Sequence, residues 1–398
     1  MRKIKTKLVT FAKKIQTAEP VTGPSAGIVE MATPTPKKRD LLMVARSNPT
    51  KVVINARFID QPMTGVQRFA LQISLHLKDL LPNVEFIAPR EPRGGSKVDH
   101  GLPLKRVGRF SGHAWEQLSL PRYLAQTDNA TLINLCNTAP IFYKNKISTH
   151  HDITYVRHPE SFSLKFRLLY RTISPLFLRK SKAVVTVSDF SKREICSHYG
   201  IPESRIAIAS NAVDSRFKPT PSSQRIRPYF LAVSSPAAHK NFDRVISAYE
   251  RWDNRENVDL RIVGSASGVF ASTAIDPPPK GVIFMGRVND DDLITLYSDA
   301  LGFIFPSVYE GFGIPPLEAQ ACGCPVIAAN IPPLNETLGS SAHYFDPYSI
   351  SEIADCMTRI ASDQSLRREL IERGTSNVAR YSWRDSAQTI AALVAQAV

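Results

Sequence analysis

No stretch of this sequence approaches the roughly 18 consecutive apolar residues that cross a bilayer, because Ser, Pro or Arg breaks each apolar run within several positions. An integral membrane protein is excluded. Cysteine is sparse and odd in number: Cys136, Cys196, Cys322, Cys324 and Cys356 include no CxxC pair and no histidine at zinc-finger spacing. That excludes a disulfide scaffold or zinc module and predicts a reducing, cytoplasmic setting. The opening MRKIKTKLVTFAKKIQ lacks the apolar stretch of about 7 to 15 residues and the cleavage site of a secretory signal. Neither the hydrophobic fraction, 43%, nor the charged fraction, 22%, departs from ordinary globular usage, so the bulk of the chain folds.

What is there is length, and positive charge. At roughly 100 to 200 residues per domain, 398 residues suggest two domains. The net charge is +14, and residues 1–50 supply half of it, with ten Lys or Arg against three acids. In that segment Ile4, Leu8, Phe11 and Ile15 recur at helical spacing between lysines. This fits a helix on an anionic membrane surface, and equally a solvated basic tail. Residues 16–50, rich in Pro, Thr, Ser and Lys, read as a linker.

From Lys51 onward short β-branched runs alternate with longer amphipathic ones, which predicts parallel α/β sheets. The runs are 51–55, 84–88, 131–135, 146–149, 183–187 and 206–209, and a helix is expected over 65–81 with Val66, Phe69, Ile73, Leu77 and Leu80 on one face. The stretch from Phe217 to Pro228 reads as a hinge. Runs at 229–233, 259–263, 281–285, 301–305 and 325–329 then predict a second doubly wound sheet, so that two such sheets face each other across a cleft.

The most informative segment is FPSVYEGFGIPPLEAQACGCPVIAAN, residues 305–330. Gly311 and Gly313 permit close backbone approach, and Pro315 and Pro316 suit a helix's first turn. A helix starting at the carboxyl end of a parallel strand presents free amides to a phosphate or diphosphate. Glu310 and Glu318 bracket the loop, where carboxylates accept hydrogen bonds from sugar and ribose hydroxyls. Cys322 and Cys324 are read as small packing groups. Asp290, Asp291 and Asp292 are read as acids opening a helix, not as a metal site.

EGFGIPPLE resembles the E-x7-E signature of the retaining glycosyltransferases of family four. AVSSPAAHKNF (232–242), VVTVSDFSKREI (184–195), NAVDSRF (211–217), VIFMGRVNDDDLITLYSDA (282–300) and YSW (381–383) are similar to other segments of that family, so the resemblance runs from about Lys51 to the end. It implies an α/β GT-B fold, two Rossmann-like domains facing across a cleft. Residues 51–217 would bind the acceptor, 218–228 would link, 229–380 would bind a nucleoside diphosphate sugar, and 381–398 would cross back to the first domain. It also implies that Glu318 holds the ribose and Glu310 the donor sugar, with Gly311, Phe312, Gly313 and Ile314 lining the site. Lys240 corresponds to the family's phosphate-binding lysine. Ser234 stands where many relatives have arginine, leaving His239 or Arg287, beside Val288, as the second cation. His151 in THHD would touch the donor sugar, with His150 as its substitute, and Gly65 and Arg68 of TGVQRF would lie in the cleft.

The expected function is hexose transfer with retention, mannose or rhamnose from a GDP-sugar in the style of the motifs, to a lipid-linked oligosaccharide or polysaccharide in exopolysaccharide or O-antigen assembly. No metal or other cofactor is expected. The segment 163–182 mixes bulky apolar residues with cations, which fits either peripheral attachment to the inner face of an anionic membrane or a buried helix with a basic rim. A sugar-nucleotide epimerase or glycan phosphorylase would share the scaffold but lacks its motifs here. The high charge suggests nucleic-acid binding, yet no recognition motif for it is present and half the excess lies in the first 50 residues.

Overall fold

The computed structural model describes residues 51–90, 99–220, 227–234, 237–264 and 278–396. The basic segment 1–50 and its expected membrane helix, like residues 221–226 of the hinge, lie outside the described residues.

The first sheet comprises β1 (Val52–Asn55), β2 (Val84–Pro89), β3 (Leu104–Val107), β4 (Thr131–Asn134), β5 (Lys146–Thr149), β6 (Ala183–Thr186) and β7 (Ile206–Ile208), in the order β3-β2-β1-β4-β5-β6-β7. The second comprises β8 (Tyr229–Val233), β9 (Asp259–Val263), β10 (Val282–Gly286), β11 (Gly302–Phe305), β12 (Val326–Ala329) and β13 (His343–Phe345), in the order β10-β9-β8-β11-β12-β13. All pairings are parallel. Helices cover both faces of such sheets, so central strands such as VVIN and VIAA are buried at every position instead of alternating.

Six helices position the site: α1 (Gly65–Leu80), α2 (Leu164–Lys180), α3 (Asp189–Tyr199), α4 (Asp290–Asp299), α5 (Ile314–Ala321) and α6 (Trp383–Gln396). The apolar stripe of α1 buries Phe69, Ile73, Leu77 and Leu80. The last helix, α6, returns to the first domain. Its Trp383 ring lies 6.0 Å from that of Phe69, and Ser386 Oγ donates to the Ser210 carbonyl at 2.7 Å. Burial of Ile390 and Val394 beside them contributes about 1.5 to 3 kcal/mol each, which fastens the two domains together. The helix α2 buries Phe177 and Leu178, while Leu164 and Leu168 are 73% and 69% exposed.

Candidate active site

The carboxyl ends of both sheets meet at a cleft, and three segments of the second domain converge there. After β11 the chain runs through Glu310, Gly311 and Gly313 into α5. Gly313 has φ +96°, and a Cβ on it would approach Leu334 Cδ2 to 2.8 Å, so only glycine fits. Pro315 and Pro316, which carry no N–H, occupy the first turn of α5, and no side chain caps the Ile314 amide that opens it. That helix end is a preformed seat for an anion.

After β8 a short turn, Ala238–Lys240, is tied to the same loop. Val308 N donates to the His239 carbonyl at 2.8 Å, and the Asn241 amide donates to the carbonyls of Pro306 and Pro347 at 3.1 and 2.7 Å. These bonds bring Lys240 Nζ within 2.6 Å of Glu310 Oε1, both side chains being mostly buried. One turn into α5, Glu318 is 6% exposed. Burial pushes its carboxyl up to about 7, against the pull of the Arg68 guanidinium. Tyr297 Oη approaches it at 3.4 Å.

The first domain closes on this loop. A side-chain atom at Gly65 would lie 3.4 Å from Ile314 Cδ1, and one at Gly311 would lie 3.2 Å from the His151 carbonyl. Arg68 reaches across to Asp290 with bonds of 2.8 and 3.2 Å, and Arg216 adds a third at 2.8 Å. Burial pushes the Asp290 carboxyl up, but the two guanidiniums outweigh it and hold it below its ordinary value. Asn289 Oδ1 caps α4 by accepting from Asp292 N at 2.9 Å, so the acid triplet opens a helix as expected. Among the described residues no group of three His, Cys, Asp or Glu is placed to hold a metal ion.

The two histidines separate cleanly. His151 Nε2 donates to the Leu135 carbonyl at 3.0 Å, which fixes its tautomer and leaves Nδ1 without the proton. Burial holds it neutral. His150 turns away, its ring buried among Tyr155, Phe177 and Tyr199, and burial lowers it to about 4. It is a core residue, which excludes it as a substitute.

Two further expectations meet corrections of detail. The Phe312 ring packs edgewise on Tyr381, 5.2 Å away, so this residue offers the cleft backbone and not an aromatic face. His239 is buried, bonds Ser161 Oγ through Nδ1 at 2.8 Å, and is pushed down to about 3 by burial and by Lys240. A neutral imidazole there is no second phosphate cation. Arg287 is exposed, Val288 is half-buried against the core, and Ser234 donates its amide to the Val263 carbonyl at 3.1 Å. Cys322 and Cys324 are buried free thiols.

Sequence patterns had not marked the interdomain clamp on the other side of the cleft. Ser188 and Ser191 hydroxyls donate to the Gly311 carbonyl at 2.6 and 3.1 Å. Glu336 accepts from the amides of Asp189 and Phe190, at 2.6 and 2.8 Å, where α3 begins. Ser188 Oγ also caps α3 by accepting from Ser191 N at 3.0 Å, and nothing in the letters tied Ser188 to Gly311 or Glu336 to the start of α3.

Two facing parallel sheets, a last helix that crosses back and an anion seat beside a lysine and two carboxylates define a GT-B glycosyltransferase. Residues 63–217 match the family described as Glycosyltransferase Family 4, and residues 216–377 match Glycosyl transferases group 1. Between them these matches span most of the chain, and it belongs to the family-four glycosyltransferases. It is 27% identical to O-antigen chain mannosyltransferase B of Escherichia coli, over 85% of this chain and 98% of that one. It is 29% identical to O-antigen chain mannosyltransferase RfbU of Salmonella typhimurium, over 68% and 74% respectively. Among solved structures, Anabaena HepE in complex with UDP and glucose superposes with a TM-score of 0.70 at 17% identity, covering 87% of this chain and all of that one, a likeness of fold.

Proposed function

We propose that this enzyme moves a mannosyl residue, with retention, from GDP-mannose to a lipid-linked glycan during surface polysaccharide assembly. The observation that carries this reading is the Lys240–Glu310 pair held at 2.6 Å beside the uncapped start of α5. The backbone amides of Gly313 and Ile314 at the start of α5 and the Lys240 ammonium receive the diphosphate, Glu318 accepts from the ribose hydroxyls, and Glu310 accepts from a hydroxyl of the sugar. His151 faces that sugar from the first domain. The bond from the sugar C1 to the β-phosphate oxygen breaks while the acceptor oxygen bonds C1 from the same face. The acceptor's proton passes to the departing phosphate oxygen, giving GDP and a glycoside of unchanged anomeric configuration. The choice of mannose and of GDP rests on the resemblance and on the names of the two O-antigen relatives.

The positive field in this mechanism comes from helix amides and one lysine, so catalysis proceeds without a divalent ion. Thermal-shift screening of the full chain in EDTA against GDP, UDP, ADP, dTDP and their sugars tests both points. GDP and GDP-mannose are expected to raise Tm most. A preference for another base, or a shift only after manganese is added, overturns the corresponding part.

Attachment to an anionic membrane belongs to the same reading. Among the described residues no helix is long and apolar enough to cross a bilayer. The outer face of α2 instead carries exposed Leu164, Leu168 and Leu176 among Lys165, Arg171, Arg179 and Lys180, and beside it Lys180 Nζ sits 4.8 Å from the ring centre of exposed Phe142. Each such cation near an acidic surface contributes about 1 kcal/mol, so salt should release the protein. Co-sedimentation with phosphatidylglycerol vesicles at low salt is expected for the full chain and, given the α2 face, for a chain starting at Lys51. Full-length protein left in the supernatant overturns membrane attachment, and loss confined to the shorter chain moves it to residues 1–50.

A further inference from the structure

At the cleft end of the first sheet, beyond the donor site, lies a polar cluster that the mechanism above does not use. Residues Trp115–Ser119 form a π-turn, a widened helical geometry frequent at functional sites. Trp115 anchors it, fully buried and donating Nε1–H to the Val107 carbonyl at 2.8 Å. The turn places Glu116, 1% exposed, under the ends of β1 and β4. Asn55 donates to Glu116 Oε1 at 2.7 Å, and Arg57 Nε stands 3.6 Å from the same oxygen. Oε2 has no hydrogen bond. It faces His113 Nδ1, likewise without one, at 3.7 Å. Burial pushes the Glu116 carboxyl up, but His113, Arg57, Thr138 and Asn55 together hold it below its ordinary value.

Glu116 Oε2 is thus a buried carboxylate oxygen whose neighbouring polar group is the His113 ring, 3.7 Å away. The His113 side chain is 40% exposed, so its ring carries this buried charge toward the surface. With Nδ1 on the Glu116 side, Nε2 is the ring's other polar atom for a ligand hydroxyl. Because Arg57 and Glu116 offset each other, the cluster suits a neutral ligand better than a phosphate.

A row of rings leads here from the donor site. Phe162 stacks on Phe166 with centroids 5.0 Å apart, Phe166 on Tyr170 at 4.0 Å, and the edge of His113 meets Tyr170 at 6.4 Å. At its other end Phe162 lies parallel to His239, at 6.5 Å, and His239 adjoins Lys240. The rings of Phe162, Phe166 and Tyr170 are half-buried and stacked on one another, so what they offer outward is a strip of apolar edges. It ends at the hydrogen-bonding groups of Tyr170 and His113, a sequence that suits a sugar chain with its apolar C–H patches and hydroxyl edges. The strip lies on and just before α2, the helix whose other face carries the exposed leucines.

We propose that His113 and Tyr170, backed by Glu116 and Arg57, form the subsite for a sugar of the acceptor glycan, with Phe162 and Phe166 as the wall leading to it. This rests on the glycosyltransferase reading and adds a neutral oligosaccharide as the ligand. The test uses the full chain with α-linked mannose mono-, di- and trisaccharides. Saturation-transfer NMR without donor reads binding, and transfer from GDP-mannose reads KM for each substrate. Binding should strengthen with length. His113→Ala and Tyr170→Leu should each raise the acceptor KM about tenfold, the worth of one good hydrogen bond or ring contact, with the donor KM and the GDP-induced Tm shift unchanged. If wild-type protein binds the oligosaccharides through His113 but transfers no mannose, the donor reading falls and the subsite stands. If transfer proceeds with unaltered acceptor KM in both variants, or if no oligosaccharide binds, the subsite is overturned whatever GDP does.

Discussion

Lys240→Ala is expected to lower turnover by on the order of 10² or more, the usual loss when one preorganised charge facing a developing anion is removed. In the proposed mechanism the ammonium faces the departing diphosphate as it gains negative charge, and its 15% exposure limits screening by water. The substitution also leaves Glu310 without its partner at 2.6 Å. A Glu310→Gln variant separates the two effects. It should lose turnover while keeping affinity for bare GDP, because its proposed contact is with the sugar. Lys240→Ala should lose both. Turnover within about threefold of the native rate would remove Lys240 from the mechanism, since so small a change is worth well under 1 kcal/mol.

Glu318 gives the second large effect, and its sign follows from burial. Its carboxyl is raised from an ordinary 4.5 to about 7. Between those values the folded protein retains a proton that the unfolded chain releases, so the stabilising contribution is complete below about pH 4.5 and is lost as pH rises through about 7. Nucleotide binding runs the other way. Two ribose hydroxyls are best accepted by the ionised carboxylate, so GDP affinity should tighten about tenfold between about pH 6 and pH 8, following the ionised fraction. Calorimetric titration across that range checks it. Glu318→Gln should bind weakly and lack this component, and the variant corrects for titration of the diphosphate itself. Equal pH dependence in both proteins would take the ribose away from Glu318.

Most of the architecture was legible because parallel strands buried on both faces read as continuous apolar runs. Two strands escaped for physical reasons. In β3, LKRV sits at a sheet edge, where Lys105 and Arg106 guard open backbone groups and dilute the apolar signal. The other, β13, is three residues long and begins with a histidine. The glycine loop and its flanking carboxylates were visible because backbone demands restrict residue choice there: a φ of +96° at Gly313 admits little else. What joins the domains was not visible. Arg68 and Asp290 are 222 positions apart, and Ser188 and Gly311 are 123 apart. No local pattern encodes such pairs. The His113–Glu116 pair was hidden for a related reason, since a π-turn has no compositional signature and Glu116 reads as an ordinary surface acid until the fold buries it.

The central claim is retaining mannosyl transfer, and proton NMR of the product glycoside tests it most directly. Full-length protein is incubated with GDP-α-mannose, an α-mannose trisaccharide and EDTA, and the new anomeric signal is assigned from its one-bond carbon–hydrogen coupling. The account predicts an α-linked tetrasaccharide formed in step with GDP. A β-linked product would contradict retention, and release of free mannose with the trisaccharide unextended would contradict transfer to a glycan.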